Sequence, residues 1–227
     1  RVLRELIPSG FNHYEQSLRI VDRLENDGQG LNLTWEVRDG IAKHSKGKHG
    51  APVGAADTDR VTALEGQVAR VADMIAYVNH DIDDALRAGL LAEADLPATP
   101  IALLGGTTSK RISRLVTDVI LQTMQSGLDR VRMSEEVLDA LLALRAFLFE
   151  AVYENSDATV EFKKASGILR GLWEKVHEQP SSFLDEGIVA TEGVDTAARD
   201  FLAGMTDRFA VGLYERLFIP KPWVELV

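Results

Sequence analysis

The chain has 227 residues, 45% hydrophobic and 26% charged, enough for a buried core in one compact domain or one domain plus a helical appendage. Its formal charge of −10 and pI near 5.0 disfavour a general nucleic-acid binder, which needs basic charge to displace phosphate counterions, but allow a small anionic ligand in a local basic pocket. The lack of cysteine excludes disulfide frameworks, thiolate metal sites and cysteine nucleophiles. No apolar run is long enough to span a bilayer, since Arg145 breaks LLALRAFLFEAV. No signal peptide opens the sequence, so the expected setting is the cytoplasm.

RVLRELIPSG starts without methionine and within a helix. The next helix opens near Asn12, with Asn12 and Glu15 spaced as a capping box, and runs to about Asn26. LENDGQGLNLT is a loop, and Thr34 caps a short helix ending at Lys43. Ser45–Asp57 is polar and Gly-rich, with Lys46, Lys48 and His49. It reads as a flexible excursion, or as a basic lid over an anionic substrate. A long helix covers about Asp59–Leu91, and DLPATPIALLGGTT is a connector carrying two prolines. Further helices are predicted at about Ser109–Ser126, Ser134–Asn155, Asp157–Glu178 and Val194–Phe218, before a stop at IPKPW. Alternating β-branched runs are missing. The class is all-α, with helices too varied in length for a simple up-down bundle.

The middle of the long helix, RVADMIAYVNHDIDDA (Arg70–Ala85), is the most informative stretch. Val71, Ile75, Val78, Ile82 and Leu86 form one apolar stripe. Asp73, Tyr77 and Asp81 recur every fourth residue on another face, joined there by His80 and Asp84. That face is short of positive charge. It is either a solvated surface, or a wall whose charge is met by a metal or a partner's arginines. A carboxylate such as Asp73 suits a divalent cation. His80 and Asp84 lie about 10 Å or more along the same helix, so Asp73 by itself is an incomplete metal site.

Other candidates lie at helix ends. His13 sits just past a candidate N-cap, where an anion is favoured, and could contact a phosphate, act as a general acid or simply pack. Lys43 and His44 end the second helix, as favourable C-terminal cations or as a phosphate contact. GGTTSKRISRL lacks the glycine and Lys-Ser/Thr order of a P-loop. What remains there is a helix start with Arg111 and Arg114 a turn apart, either a solvated basic face or a ligand contact.

Taken together, FNHYEQSLRIVDRLE, LNLTWEVRDGIAKHSKG, LEGQVARVADMIAYVNHDIDDALRAGLL, KRISRLVTDVI and FLAGMTDRFAVGLYERLF resemble, in order, blocks of the bacterial deoxyguanosinetriphosphate triphosphohydrolase-like proteins. These are deoxynucleotide triphosphohydrolases of the HD superfamily. The resemblance covers nearly the whole chain and implies an HD-domain-like helical fold. It implies hydrolysis of a dNTP to deoxynucleoside and inorganic triphosphate with a divalent metal, Mg²⁺ or Mn²⁺. It places Asp73 as a metal ligand, Tyr77 on the sugar face and Asp81 at the 3′-hydroxyl. His13 falls near the α-phosphate as the catalytic candidate, Lys43 on the triphosphate, and Arg111 and Arg114 in a basic substrate-binding motif. The base is not legible, dGTP being one candidate, and a homo-oligomer is expected.

In the family, the first metal-binding His, the His-Asp pair and the catalytic acid segment precede the GFNHYEQ block. The resemblance thus implies that residues 1–92 are the C-terminal portion of an HD catalytic domain, with residues 93–227 a helical region packing on it. The remaining metal ligands are expected upstream of Arg1, leaving the chain alone inactive. The competing readings are an HD phosphohydrolase for another phosphorylated substrate, and a non-catalytic nucleotide-binding or assembly module.

Overall fold

Periodicity of apolar residues sets the architecture. The computed structural model describes residues 2–8, 10–44, 61–153 and 156–221, and every regular element among them is helical. The helices are α1 (Val2–Leu6), α2 (His13–Arg19), α3 (Glu25–Gly28), α4 (Trp35–Lys43), α5 (Leu64–Arg87) and α6 (Ala98–Leu104). They continue with α7 (Thr108–Gln125), α8 (Glu135–Leu148), α9 (Ser156–Glu178), α10 (Glu186–Glu192), α11 (Val194–Ala203) and α12 (Asp207–Phe218). The basic excursion Ser45–Asp57, with Lys46, Lys48 and His49, lies outside the described residues.

The chain forms two compact units, Arg1–Gln16 with Thr159–Val227, and Ser17–Ala158. In the second, the predicted stripe is core: Val71, Ile75, Val78 and Ile82 are buried, and Leu86 packs at their edge. They meet Leu104 of α6, Leu115 of α7 and Val137, Leu141, Leu144 and Leu148 of α8. Burial on this scale is the main driving force holding such helices together. The division expected at residues 92/93 falls inside this core, so it coincides with no boundary between the two units. In the other unit, Ile7 joins Leu172, Trp173 and Val176 of α9, Ala197, Ala198 and Leu202 of α11, and Ala210 and Leu213 of α12.

Several boundaries differ from expectation for local reasons. The expected connector contains α6 because its prolines fall at the helix start, where the backbone N–H groups lack helical acceptors anyway. The helix expected over Val194–Phe218 breaks into α11 and α12 at Gly204, and Thr206 accepts from the Phe209 amide to start the second. The helix expected from Asn12 to Asn26 passes after Arg19 into a π-helical turn, Ile20–Leu24. The expected capping box is absent as such. Asn12 Nδ2 donates to Glu15 Oε1 at 3.2 Å, while Arg4 reaches the Asn12 Oδ1 at 3.5 Å.

Two glycines bring α4 and α5 together. A Cβ on Gly66 would stand 2.4 Å from Val61 Cγ1 and 3.2 Å from the Gly40 Cα. Only small residues permit that backbone approach. Gly66→Ala should force α5 off α4 and destabilise the protein by about 1–3 kcal/mol, as overpacking does. Urea unfolding checks this, and an unshifted midpoint would show the crossing to be loose.

Candidate functional site

The face of α5 opposite its core stripe carries the predicted row. Successive members of Asp73, Tyr77 and Asp81 are spaced by about 6 Å along the axis. Asp73 and His80 are exposed, Asp81 is half-buried, and Tyr77 keeps 47% of its surface in solvent. An exposed tyrosine ring flanked one turn each way by carboxylates is a surface with both an apolar plate and hydrogen-bond acceptors.

The row is held in place by a polar tie on the α7 side, which sequence reasoning missed. Asn79, fully buried, donates through Nδ2 to the Ile75 carbonyl at 2.8 Å. Its Oδ1 accepts from Arg111 Nε at 2.8 Å. Arg111 is 1% exposed. Its other nitrogens donate to the Gly106 carbonyl at 3.3 Å and to Thr108 Oγ1 at 2.9 Å. The Thr108 hydroxyl donates in turn to Asp83, whose carboxylate lies 3.6 Å from the guanidinium. Burial works to deprotonate Arg111, and Asp83 opposes it. Asp83, which had no expected role, is thus the counter-ion of a buried arginine. Asp84 forms an exposed pair with Arg87, at 2.7 Å.

Arg111 and Arg114 therefore do not form the shared basic face expected of them. Three residues along a helix displace a side chain by about 60°, and here that takes Arg111 into the interior and leaves Arg114 exposed. The glycines before them serve the turn. Gly105, at φ 113°, ends α6, and its missing Cβ would stand 2.6 Å from Lys110 Cβ. Asp118 is likewise buried, accepting from the Ser134 amide at 2.8 Å and hydroxyl at 2.9 Å to fix the start of α8.

Lys43 ends α4, and its Nζ lies 2.6 Å from Asp39 Oδ1. Asp39 is 8% exposed, and its other oxygen accepts from the Thr62 amide at 2.9 Å. Burial alone would raise the Asp39 pKa, but the Lys43 and Thr62 hydrogen bonds outweigh it and hold the carboxyl below its ordinary value. His44 is turned onto its own helix, with Nδ1 2.7 Å from the Ile41 carbonyl. Arg38 grips Asp22 of the π-helical turn through both oxygens, at 2.8 and 2.7 Å. His13 is exposed at the start of α2 and belongs to the unit containing α9–α12, with its ring edge-on to Tyr14 at 5.6 Å. His177, also in that unit, contacts the Trp173 carbonyl and Asp195, each at 2.9 Å.

Among the described residues, no three His, Cys, Asp or Glu side chains converge so as to hold a metal ion. Asp73 is one hard donor, and the described residues do not by themselves fit a metal centre. Nor, among them, is any helix long and apolar enough to cross a membrane.

Comparison with known proteins identifies the class. The profile of the phosphohydrolase-associated domain family matches residues 131–216, from the end of the α7–α8 connection to α12. A deoxyguanosinetriphosphate triphosphohydrolase-like protein of Caldanaerobacter subterraneus is 45% identical over 228 residues, covering 99% of this chain and 63% of the relative. One from Clostridium perfringens is 42% identical, covering 97% of this chain and 64% of the relative. One from Paracoccus denitrificans is 35% identical over 259 residues, covering 92% and 68%. The chain belongs to the deoxyguanosinetriphosphate triphosphohydrolase-like family, and spans 63% of the length of the first of these relatives.

The contrast between the two arginines is measurable. Arg111→Ala leaves the buried Asn79 oxygen without its donor, and should cost about 3 kcal/mol or more. Arg114→Ala should change stability by less than about 0.5 kcal/mol. Equal urea midpoints for the two variants would contradict the assignment. For Asp39, the lowered pKa makes its stabilisation fully present above the unfolded-state value of about 4. It is lost as pH falls through the folded-state value. Asp39→Asn should therefore be less stable than wild type at pH 7, and the gap should shrink only below about pH 4. A gap that closes between pH 7 and 5 would show that another group titrates.

Proposed function

We propose that the intact protein hydrolyses deoxynucleoside triphosphates to deoxynucleoside and inorganic triphosphate. The observation that carries this reading is the row Asp73–Tyr77–Asp81, set on a face of α5 away from its buried stripe and beside the Asn79–Arg111 tie. In this reading the Tyr77 ring packs on the deoxyribose, leaving little room for a 2′-hydroxyl. The Asp81 carboxylate accepts a hydrogen bond from the 3′-hydroxyl. Lys43 offsets triphosphate charge through its ammonium, and Arg114 adds to the basic side of the site. Arg111 serves by bracing α5 from within. Water adds to the α-phosphorus as the bond to the 5′-oxygen breaks, and the departing oxygen takes up a proton. By the family resemblance alone, His13 is the candidate general acid. Asp73 is the one metal-ligand candidate among these residues. Family membership and the names of the relatives support this reading. A homo-oligomer and a divalent cofactor, Mg²⁺ or Mn²⁺, belong to the same proposal.

The test is product analysis. Intact protein incubated with each dNTP and Mg²⁺ or Mn²⁺ should release deoxynucleoside and tripolyphosphate, and Asp73→Ala should reduce turnover at least about 100-fold, as losing a group that acts in the transition state does. Release of monophosphate or pyrophosphate would assign a different phosphohydrolase reaction. Retained turnover in Asp73→Ala would remove Asp73 from the site.

A further inference from the structure

We propose that Asp39 is a positioning residue for the triphosphate contact, with one carboxylate fixing both the Lys43 ammonium and the backbone that leads into α5. This rests on reading Lys43 as the lysine that meets the triphosphate. The geometry sets Asp39 apart from an ordinary i, i+4 pair on a helix surface, which is exposed at both ends and holds its partners only weakly. Here the Asp39 side chain is 6% exposed, while the Lys43 side chain it holds keeps 28% of its surface in solvent. The two oxygens are divided between two tasks. Oδ1 lies 2.6 Å from Lys43 Nζ, and Oδ2 accepts from the Thr62 amide at 2.9 Å. Thr62 stands two residues ahead of α5, which carries Asp73, Tyr77 and Asp81. Asp39 thus links the candidate phosphate contact to the candidate sugar wall across the α4–α5 crossing.

The crossing makes that link possible. Gly40, next in sequence to Asp39, packs against Gly66, and a Cβ there would already lie 3.2–3.4 Å from the opposing Cα. The close approach lets a short aspartate reach the backbone of the neighbouring segment. The functional consequence concerns preorganisation. A lysine side chain is flexible, and ordering it at the moment of binding weakens the complex. Holding it beforehand on a buried carboxylate removes part of that cost. An ammonium has three N–H donors, so a bond to Asp39 is compatible with one to a phosphate oxygen.

A double-mutant cycle on the intact protein tests this, using inorganic tripolyphosphate binding by calorimetry and dNTP turnover as separate readouts. Asp39→Asn keeps an acceptor for the Thr62 amide and removes the charge that holds Lys43. It should weaken tripolyphosphate binding about tenfold, and Lys43→Met should weaken it at least as much. The double variant should bind within about twofold of Lys43→Met alone, because Asp39 acts through Lys43. Asp39→Glu, which restores the carboxylate, should recover most of the loss and guards against a folding defect in Asp39→Asn. Thermal midpoints identify any variant that is unfolded. Equal losses from Asp39→Asn with and without Lys43, or no loss at all, would overturn the proposal. If the cycle behaves as expected while wild type hydrolyses no dNTP, the positioning role stands and the proposed reaction fails.

Discussion

The hydrogen bond from Arg111 to Asn79 is the constraint on which the second unit's arrangement turns. Apolar packing alone lets a helix such as α5 slide or rotate against α7 at modest cost, because many side-chain arrangements bury similar area. A buried guanidinium that must satisfy Asn79, Gly106, Thr108 and Asp83 together has far fewer acceptable positions. Asn79 lies between Tyr77 and Asp81 in sequence. The tie therefore fixes the rotation of α5 where its solvent face carries the candidate sugar contacts. An arginine whose counter-ion stands at 3.6 Å is costly to bury, and the gain is a defined register.

Lys43 on the α4 side is held in a related way. Buried carboxylate, ammonium and backbone amide form a three-part junction beside the Gly40–Gly66 contact. The α5 helix is thus bounded by two polar anchors, one on α4 and one on α7, with a continuous apolar core joining it to α8. Function in this reading lies on the surface that neither the anchors nor the core consumes.

Much of this was legible in the sequence, and the reason is periodicity. The stripe Val71, Ile75, Val78 and Ile82 follows helical spacing and is core, as expected. The start of α4 after Thr34, the span of α7 and the all-α class follow from spacing as well, although the Thr34 side chain makes no capping bond to α4. Buried polar partners were not legible. Asn79 and Asp83 are polar residues of α5 whose contacts with Arg111 of α7 join residues far apart in sequence. Arg111 and Arg114 are indistinguishable by residue type, and a 60° rotation separates a structural arginine from an exposed one. The contacts of Asp39 with Thr62 and of Gly66 with Gly40 join residues far apart in sequence, so no local signal marks them. The resemblance to a known family supplied what spacing could not, namely which face of α5 deserved a chemical reading.

The central claim is that the exposed row on α5 recognises a deoxyribose. Its most direct test compares the affinity of the intact protein for a dNTP and for the matching 2′,3′-dideoxynucleotide, in wild type and in Asp81→Ala. A hydrogen bond to a charged acceptor is worth about 1.5–3 kcal/mol, so wild type should prefer the 3′-hydroxyl ligand by about 10- to 100-fold, and Asp81→Ala should bind both alike. An undiminished preference in Asp81→Ala would contradict the account.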